Sequence, residues 1–274
     1  MKILIAYFSG TGNTRYCAEY LKKRLEQPGN HVDLRSVERL PAKEAENYDF
    51  LVAGFPVYAC DAPEIIKRFF AAAALTARKG AYLFCTKGFY SGNALKNAAD
   101  LLRDSGYKIL GWADVGMPGS DGLAFLKPDS RAAKKMYDRD FSRIEPLDRL
   151  SEVILADAGK TGDGGLQGKR IPKKITGAAA NGLFRLAYAP LEKWMTAKFH
   201  ADQNCVRCGF CEKICPAGNI RVTKEGVHFD GSCFLCMRCV HQCPKAAIQI
   251  GTGTVGKMRW KGPDGRFHPL ERED

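Results

Sequence analysis

The sequence predicts an α/β chain in two parts, a doubly wound, five-stranded parallel sheet followed by a small α+β unit. Three observations carry this. Up to about residue 157, short β-branched or apolar runs alternate with longer amphipathic ones, the pattern of a parallel sheet covered by helices on both faces. A stretch too rich in glycine for regular structure follows, Gly159-Lys-Thr-Gly-Asp-Gly-Gly-Leu-Gln-Gly168. Beyond it, eight of the eleven cysteines fall between Cys205 and Cys243 at regular spacing.

In chain order, strands are predicted at Lys2–Tyr7, His31–Ser36, Phe50–Phe55, Ala81–Thr86 and Tyr107–Val115, and helices at Asn13–Leu25, Pro63–Leu75, Gly92–Ser105 and Ser130–Ala158. Phe55, Phe84, Cys17 and Cys85 are expected in the core, and Cys60 reads as a small buried thiol. The glycine-rich stretch reads as a flexible boundary about which the second part could swing. From Ile171 to Phe199 the apolar residues return with helical spacing, broken by Pro190 and mixed with basic and aromatic residues such as Phe184, Arg185, Tyr188, Lys193, Trp194 and Lys198. Packing across both parts is the plain reading of this segment; a membrane surface or a docked partner are the alternatives. The expected boundaries are residues 1–158 for the sheet domain, 159–199 for the connector, 200–251 for the cysteine-rich domain and 252–274 for a C-terminal tail.

Residues 200–250 contain an internal repeat with an offset of 28. Cys205-Val-Arg-Cys208-Gly-Phe-Cys211-Glu-Lys-Ile-Cys215-Pro216 aligns with Cys233-Phe-Leu-Cys236-Met-Arg-Cys239-Val-His-Gln-Cys243-Pro244, and Ile220 and Val222 answer Ile248 and Ile250. Each half reads C-x2-C-x2-C-x3-C-P, the spacing in which three cysteines wrap one iron-sulfur cubane and the fourth reaches the other. By that rule Cys205, Cys208, Cys211 and Cys243 hold one 4Fe-4S cluster, and Cys233, Cys236, Cys239 and Cys215 hold a second. Two zinc sites are the alternative, but zinc does not require three cysteines at this spacing and a fourth before proline, twice over. A disulfide framework belongs to small secreted chains, and most of this chain is poor in cysteine. His228 and His241 lie near the cysteines without a carboxylate partner in view, and read as surface or outer-shell residues rather than ligands. The motif resembles that of dicluster bacterial-type ferredoxins, which implies one-electron relay.

At the other end, the first strand runs into Phe8-Ser9-Gly10-Thr11-Gly12-Asn13-Thr14 and then into a helix. Such a loop presents backbone N–H groups and the positive end of the helix dipole, which suits a phosphate dianion. A Walker A loop and a G-x-G-x-x-G dinucleotide loop are both absent here, since neither spacing is met. The stretch Ser9-Gly10-Thr11-Gly12-Asn13-Thr14 resembles the phosphate loop of flavodoxins. That resemblance implies a sheet in the order 2-1-3-4-5, with FMN at the carboxyl ends of the strands. It places the isoalloxazine between the loop after the third strand (Pro56, Val57, Tyr58, Ala59) and the loop after the fourth (Thr86, Lys87, Gly88, Phe89, Tyr90). The whole chain is similar to the flavodoxin and ferredoxin fusion proteins of anaerobic bacteria, an EFR1-like ferredoxin family. The similarity implies two 4Fe-4S clusters, FMN and electron transfer, with a ferredoxin-type donor, an acceptor enzyme or a small-molecule acceptor as partner. A ferredoxin with a flavin-free docking domain and a redox sensor are the alternative functions.

Composition agrees with a globular protein: 45% hydrophobic, 26% charged, and no window of eighteen uninterrupted apolar residues. No signal peptide is read at the start, so a cytoplasmic location is expected. The formal charge is +12. Eight cluster thiolates, two oxidised cores and one flavin phosphate would bring it to about +6. Half the formal excess lies in residues 159–200, with eight Lys or Arg against Asp163 and Glu192. No recognised nucleic-acid module accompanies that charge, so no nucleic-acid partner is expected, nor is membrane attachment.

Overall fold

The computed structural model describes residues 1–73, 79–157, 168–172 and 190–270. Its first part is built from β1 (Lys2–Tyr7), α1 (Asn13–Leu25), β2 (His31–Ser36), β3 (Phe50–Pro56), α2 (Glu64–Ala72), β4 (Lys79–Lys87), α3 (Ala94–Asp104) and β5 (Tyr107–Gly116). The five strands pair in parallel in the order β2-β1-β3-β4-β5. Burial on both faces explains why β1 is apolar from Ile3 onward. Ile3, Ile5 and Tyr7 pack with Cys17, Leu21 and Leu147 on one face, whereas Leu4, Ala6 and Phe8 pack with Ile66, Phe70 and Leu102 on the other. Phe55, Phe84, Cys17, Cys60 and Cys85 are all buried.

One long helix was expected at Ser130–Ala158. The structure instead has α4 (Ser120–Leu123), α5 (Arg131–Tyr137) and α6 (Glu145–Asp157). The Asp140 carboxylate accepts from the Ser142 backbone N–H at 2.8 Å and from its hydroxyl at 2.9 Å, a local turn that competes with helix. Pro146 then sits in the first turn of α6, where its missing N–H is tolerated. Ser130 caps α5, accepting from the Ala133 N–H at 3.2 Å. The predicted helix ends at Leu75 and Ala158 lie outside the described residues, as do residues 159–167 of the glycine-rich stretch and residues 173–189 of the connector. Residues 190–196 are helical.

The second part comprises β6 (Phe199–Ala201), α7 (Phe210–Lys213), β7 (Ile220–Val222), β8 (Val227–Phe229), α8 (Arg238–Gln242) and β9 (Ile248–Ile250). β6 pairs with β9 and β7 with β8, both antiparallel. The repeat seen in sequence recurs in the backbone at the same offset. Arg207 and Leu235, Gly209 and Met237, and Gly218 and Ala246 all have positive φ, at 54° and 50°, 74° and 60°, and 60° and 48°. The first half uses glycine at two of these left-handed positions; the second holds Met237 and Ala246 there against their preference.

The C-terminal residues form more than a tail. Met258 and Trp260 pack with Leu123 of α4 and Ala133 of α5, and Trp260 is 1% exposed. Among the described residues, no helix is long and apolar enough to cross a membrane.

Candidate functional site

The eight repeat cysteines come together as two sets of four. Cys205, Cys208, Cys211 and Cys243 line one cavity, with Val206, Gly209, Val222, Val227 and Ile248 among the residues completing its wall. Cys215, Cys233, Cys236 and Cys239 line a second, closed by Phe199, Ile220, Phe229, Phe234 and Met237. Each set draws three thiols from one half of the repeat and the fourth from the other, delivered after the short helix α7 or α8. Among the described residues, no three His, Cys, Asp or Glu side chains converge as for a single metal ion. The four thiols of each set instead stand around a volume.

The left-handed residues position the sulfurs' hydrogen bonds. Arg207 N–H donates to Cys205 Sγ at 3.4 Å and Leu235 N–H to Cys233 Sγ at 3.3 Å. After each proline, Asn219 N–H donates to Cys215 Sγ and Ala247 N–H to Cys243 Sγ, both at 3.3 Å. Such amides favour the thiolate and tune the potential of an attached cluster. Burial works the other way, pushing the Cys211 thiol up to about 11 and the Cys236 thiol up to about 12. Cationic iron is what would hold these sulfurs ionised at neutral pH.

The two sets differ in access. Cys208 is exposed, and its neighbour Val206 is 58% exposed. Cys236 and Cys239 are buried, and the loop carrying them lies directly on the phosphate-type loop of the sheet domain. Arg238, 2% exposed between those two cysteines, makes the join. Its Nε donates to the Gly10 carbonyl at 3.2 Å and its Nη2 to the Ser9 carbonyl at 2.7 Å. Nη1 and Nη2 also donate to Glu38 Oε1 and Oε2 at 2.8 and 2.7 Å, and Nη1 to the Ile214 carbonyl at 2.9 Å. All five guanidinium N–H groups thereby have an acceptor. Burial pulls the Arg238 pKa down, but Glu38 outweighs it and holds the value above the ordinary one.

Sequence reasoning missed Arg238 as an interface residue, although its counterpart at the repeat offset is Phe210, and a charge in place of an aromatic was a readable signal. His241, expected at the surface or in an outer shell, is fully buried. Its Nε2 meets the Ser120 carbonyl at 2.7 Å, and its Nδ1 accepts from the Trp260 N–H at 3.0 Å, which fixes the neutral Nε2–H tautomer. Trp260 Nε1–H in turn donates to Asn13 Oδ1 at 2.9 Å, and Asn13 Nδ2 donates to the Pro118 carbonyl at 2.7 Å. His228 is exposed on β8, with its Nε2 3.1 Å from Thr223 Oγ1.

The loop Ser9–Thr14 has the local form its sequence predicts. Gly12 takes φ 104° at the N-cap of α1, its N–H donates to Ser9 Oγ at 3.1 Å, and Ser9, Thr11 and Thr14 are buried. Whether the surroundings fit FMN is a separate matter. A Cβ on Gly10 would lie 2.4 Å from Tyr58 Oη and 2.7 Å from the Cys236 carbonyl. One on Gly12 would lie 2.7 Å from the Phe267 Cβ and 2.8 Å from the Gly262 Cα. The space over both glycines therefore belongs to protein. Thr14 Oγ1 pairs with Thr86 Oγ1 at 2.8 Å. Of the expected ring contacts, Pro56, Val57, Tyr58 and Ala59 are half-buried, and Val57 and Tyr58 pack against the core cluster that includes Cys236. Lys87 pairs with Asp114 at 2.9 Å, Gly88 lies against Gly119, and Phe89 is 98% exposed. Tyr58 and Tyr90 thus stand in different surroundings, one over Gly10 and the other toward solvent. A cavity of about 20 Å³ beside Ser9, shared with Glu38, Arg238 and Phe267, has room for little more than a water. With both glycines covered, the loop has no room for a flavin phosphate in this arrangement; a larger cavity of about 260 Å³ lies to one side, lined by Tyr58, Ala59, Lys67, Cys233 and Phe234.

Comparison with known proteins gives two family matches. A flavodoxin domain model matches residues 4–102, and a 4Fe-4S dicluster domain model matches residues 204–247. The flavodoxin domain implies FMN and the dicluster domain implies 4Fe-4S clusters, a count of two being consistent with it. Similar solved structures include a two-electron reduced flavodoxin of Megasphaera elsdenii, 24% identical, covering 41% of this chain and 84% of that one with a TM-score of 0.39. A flavodoxin of Streptococcus pneumonia TIGR4 is 16% identical over 57% of this chain and 99% of its own, with a TM-score of 0.44. The rubredoxin oxygen:oxidoreductase of the anaerobe Desulfovibrio gigas is 16% identical over 59% of this chain and 37% of its own, with a TM-score of 0.40. No curated protein matches the chain.

Proposed function

Because the chain joins an N-terminal flavodoxin domain to a C-terminal 4Fe-4S dicluster domain, we propose that it is an electron-transfer protein whose two clusters form a graded relay from a solvent-facing port to the flavodoxin domain. Cys205, Cys208, Cys211 and Cys243 hold the outer cluster; Cys215, Cys233, Cys236 and Cys239 hold the inner one. The observation that supports this most is the difference in access between the two thiol sets, with Cys208 exposed and Cys236 and Cys239 buried against the loop at Ser9–Gly10.

A bound cubane takes up one electron at a time and supplies the redox chemistry. The chain's own groups do the rest. Backbone amides of Arg207, Leu235, Asn219 and Ala247 stabilise charge on the sulfurs. Phe199, Phe229 and Met237 close the inner set on the side of the buried Cys236 and Cys239, while Cys233 and Phe234 also line a wider cavity beside Tyr58. A redox partner protein, a ferredoxin-type donor or an acceptor enzyme, meets the outer set at Val206–Cys208, where apolar surface and a cluster ligand reach solvent together. With the phosphate loop covered, the inner cluster is the last carrier of the route in this arrangement, next to the domain that would hold the flavin.

Stepwise oxidation of the dithionite-reduced, anaerobically purified protein by a bulky protein oxidant tests the relay. The outer cluster is expected to react directly, and a Cys208→Ser variant with an altered outer cluster should slow oxidation of both. Equal direct rates for the two clusters would contradict a graded route.

A further inference from the structure

We propose that the phosphate loop at Ser9–Thr14 serves two mutually exclusive occupants: the cluster-bearing half of the same chain, which holds it here, and FMN, which can enter only when that half leaves.

The volumes require this. Of the groups that close the two glycines, the Cys236 carbonyl over Gly10 and Phe267 and Gly262 over Gly12 belong to the docked half, whereas Tyr58 over Gly10 is the sheet domain's own and its side chain has to turn aside once that half leaves. No single side-chain rotation clears them, because the blocking atoms include backbone of the cluster loop and of the C-terminal segment. Charge points the same way. The Glu38 carboxylate shares the small cavity beside Ser9 and is already paired with the Arg238 guanidinium. An arriving phosphate dianion would meet that carboxylate, and would find Arg238 with every N–H taken.

The docked half is held by specific contacts rather than by bulk alone. Arg238 reads the Ser9 and Gly10 carbonyls, Trp260 reads Asn13, His241 reads Ser120, and Arg39 donates to the Pro269 carbonyl at 2.8 Å. These contacts come from the cluster loop, the C-terminal segment and the sheet domain, and they converge on the loop and its neighbours. Flavin loading and cluster docking therefore compete for the same surface, whichever partner uses the clusters.

The test is a titration of the full-length protein carrying both clusters, without oxygen, with free FMN followed by quenching of flavin fluorescence. Wild type is compared with Phe267→Ala, which leaves the Cβ over Gly12 but loosens the hold of the C-terminal segment, and with Glu38→Gln, which keeps the size of the side chain and weakens the Arg238 anchor if Phe267→Ala loses iron. Competition requires at least tenfold tighter FMN binding by a variant that retains its iron. It also requires FMN to raise hydrogen exchange at residues 234–240 and 258–269 of the wild type. Equal affinity in wild type and variants, with no change in exchange, would overturn the proposal. So would a complete lack of FMN binding in iron-replete variants, because the loop would then have a single occupant.

Discussion

Arg238 and Glu38, 200 positions apart in the chain, form a two-pronged ion pair with separations of 2.8 and 2.7 Å that fastens the cluster loop to the segment after β2. The arginine side chain is 3% exposed and the glutamate side chain 24%. Removing the glutamate leaves a guanidinium buried with part of its charge uncompensated. Breaking a buried pair in this way costs about 3 kcal/mol, less where one partner is partly solvated. Glu38→Ala is expected to lower the denaturant midpoint for bleaching of the cluster absorbance by the equivalent of about 2 kcal/mol. Arg238→Lys should lose most of the same, since an ammonium cannot bridge both carboxylate oxygens and three carbonyls at once.

The repeat supplies a matched pair of backbone tests. Gly218 and Ala246 occupy corresponding left-handed positions, at φ 60° and 48°. Ala246 is exposed, and a Cβ on Gly218 would meet nothing within 4 Å, so conformational preference dominates at both. Ala246→Gly should stabilise the iron-loaded protein by about 1 kcal/mol, and Gly218→Ala should destabilise it by about the same amount. Thermal midpoints measured on the holoprotein check both signs.

At Gly12 both conformation and space forbid a side chain. With φ at 104° and the Phe267 Cβ 2.7 Å from where a Cβ would stand, Gly12→Ala has to displace the C-terminal segment or distort the start of α1. A loss of about 2 to 3 kcal/mol is expected. Limited proteolysis should cleave the variant faster than wild type between residues 258 and 270.

His241 joins three separate stretches of chain through its two ring nitrogens. His241→Phe keeps the ring but strands the Ser120 carbonyl and the Trp260 N–H in a buried place, at a cost of about 1 to 3 kcal/mol per group. Faster hydrogen exchange at residues 258–262, with iron content retained, is the expected result.

Much of this arrangement was legible in the sequence, and the exceptions have physical causes. β1, β2 and α1 take the predicted bounds because their apolar patterns are long and their ends are marked by Ser9–Gly12, by Gly29 and by the turn in which Ser36 Oγ accepts from the Glu38 N–H. β4 begins at Lys79, two residues before the predicted start, where the Lys79 ammonium reaches the carbonyls of Glu46 and Tyr48, just before the start of the neighbouring β3. The break near Asp140 depends on one side chain choosing a turn over a helix. The repeat was visible in its cysteines, and its left-handed residues follow from the same spacing. What lies over the phosphate-type loop was not legible, because nothing local to Ser9–Thr14 reports that Arg238, Trp260 and Phe267 arrive there from more than 220 residues away.

Iron and acid-labile sulfide should be counted in anaerobically purified wild type and in a Cys239→Ser variant, with electron paramagnetic resonance of the reduced samples. Two cubanes held by two quartets predict about eight irons in wild type with a coupled two-cluster signal. The variant should keep the outer cluster and its signal while the inner one is lost or altered. About four irons in wild type, or zinc in place of iron, would contradict the two-cluster assignment on which the relay rests.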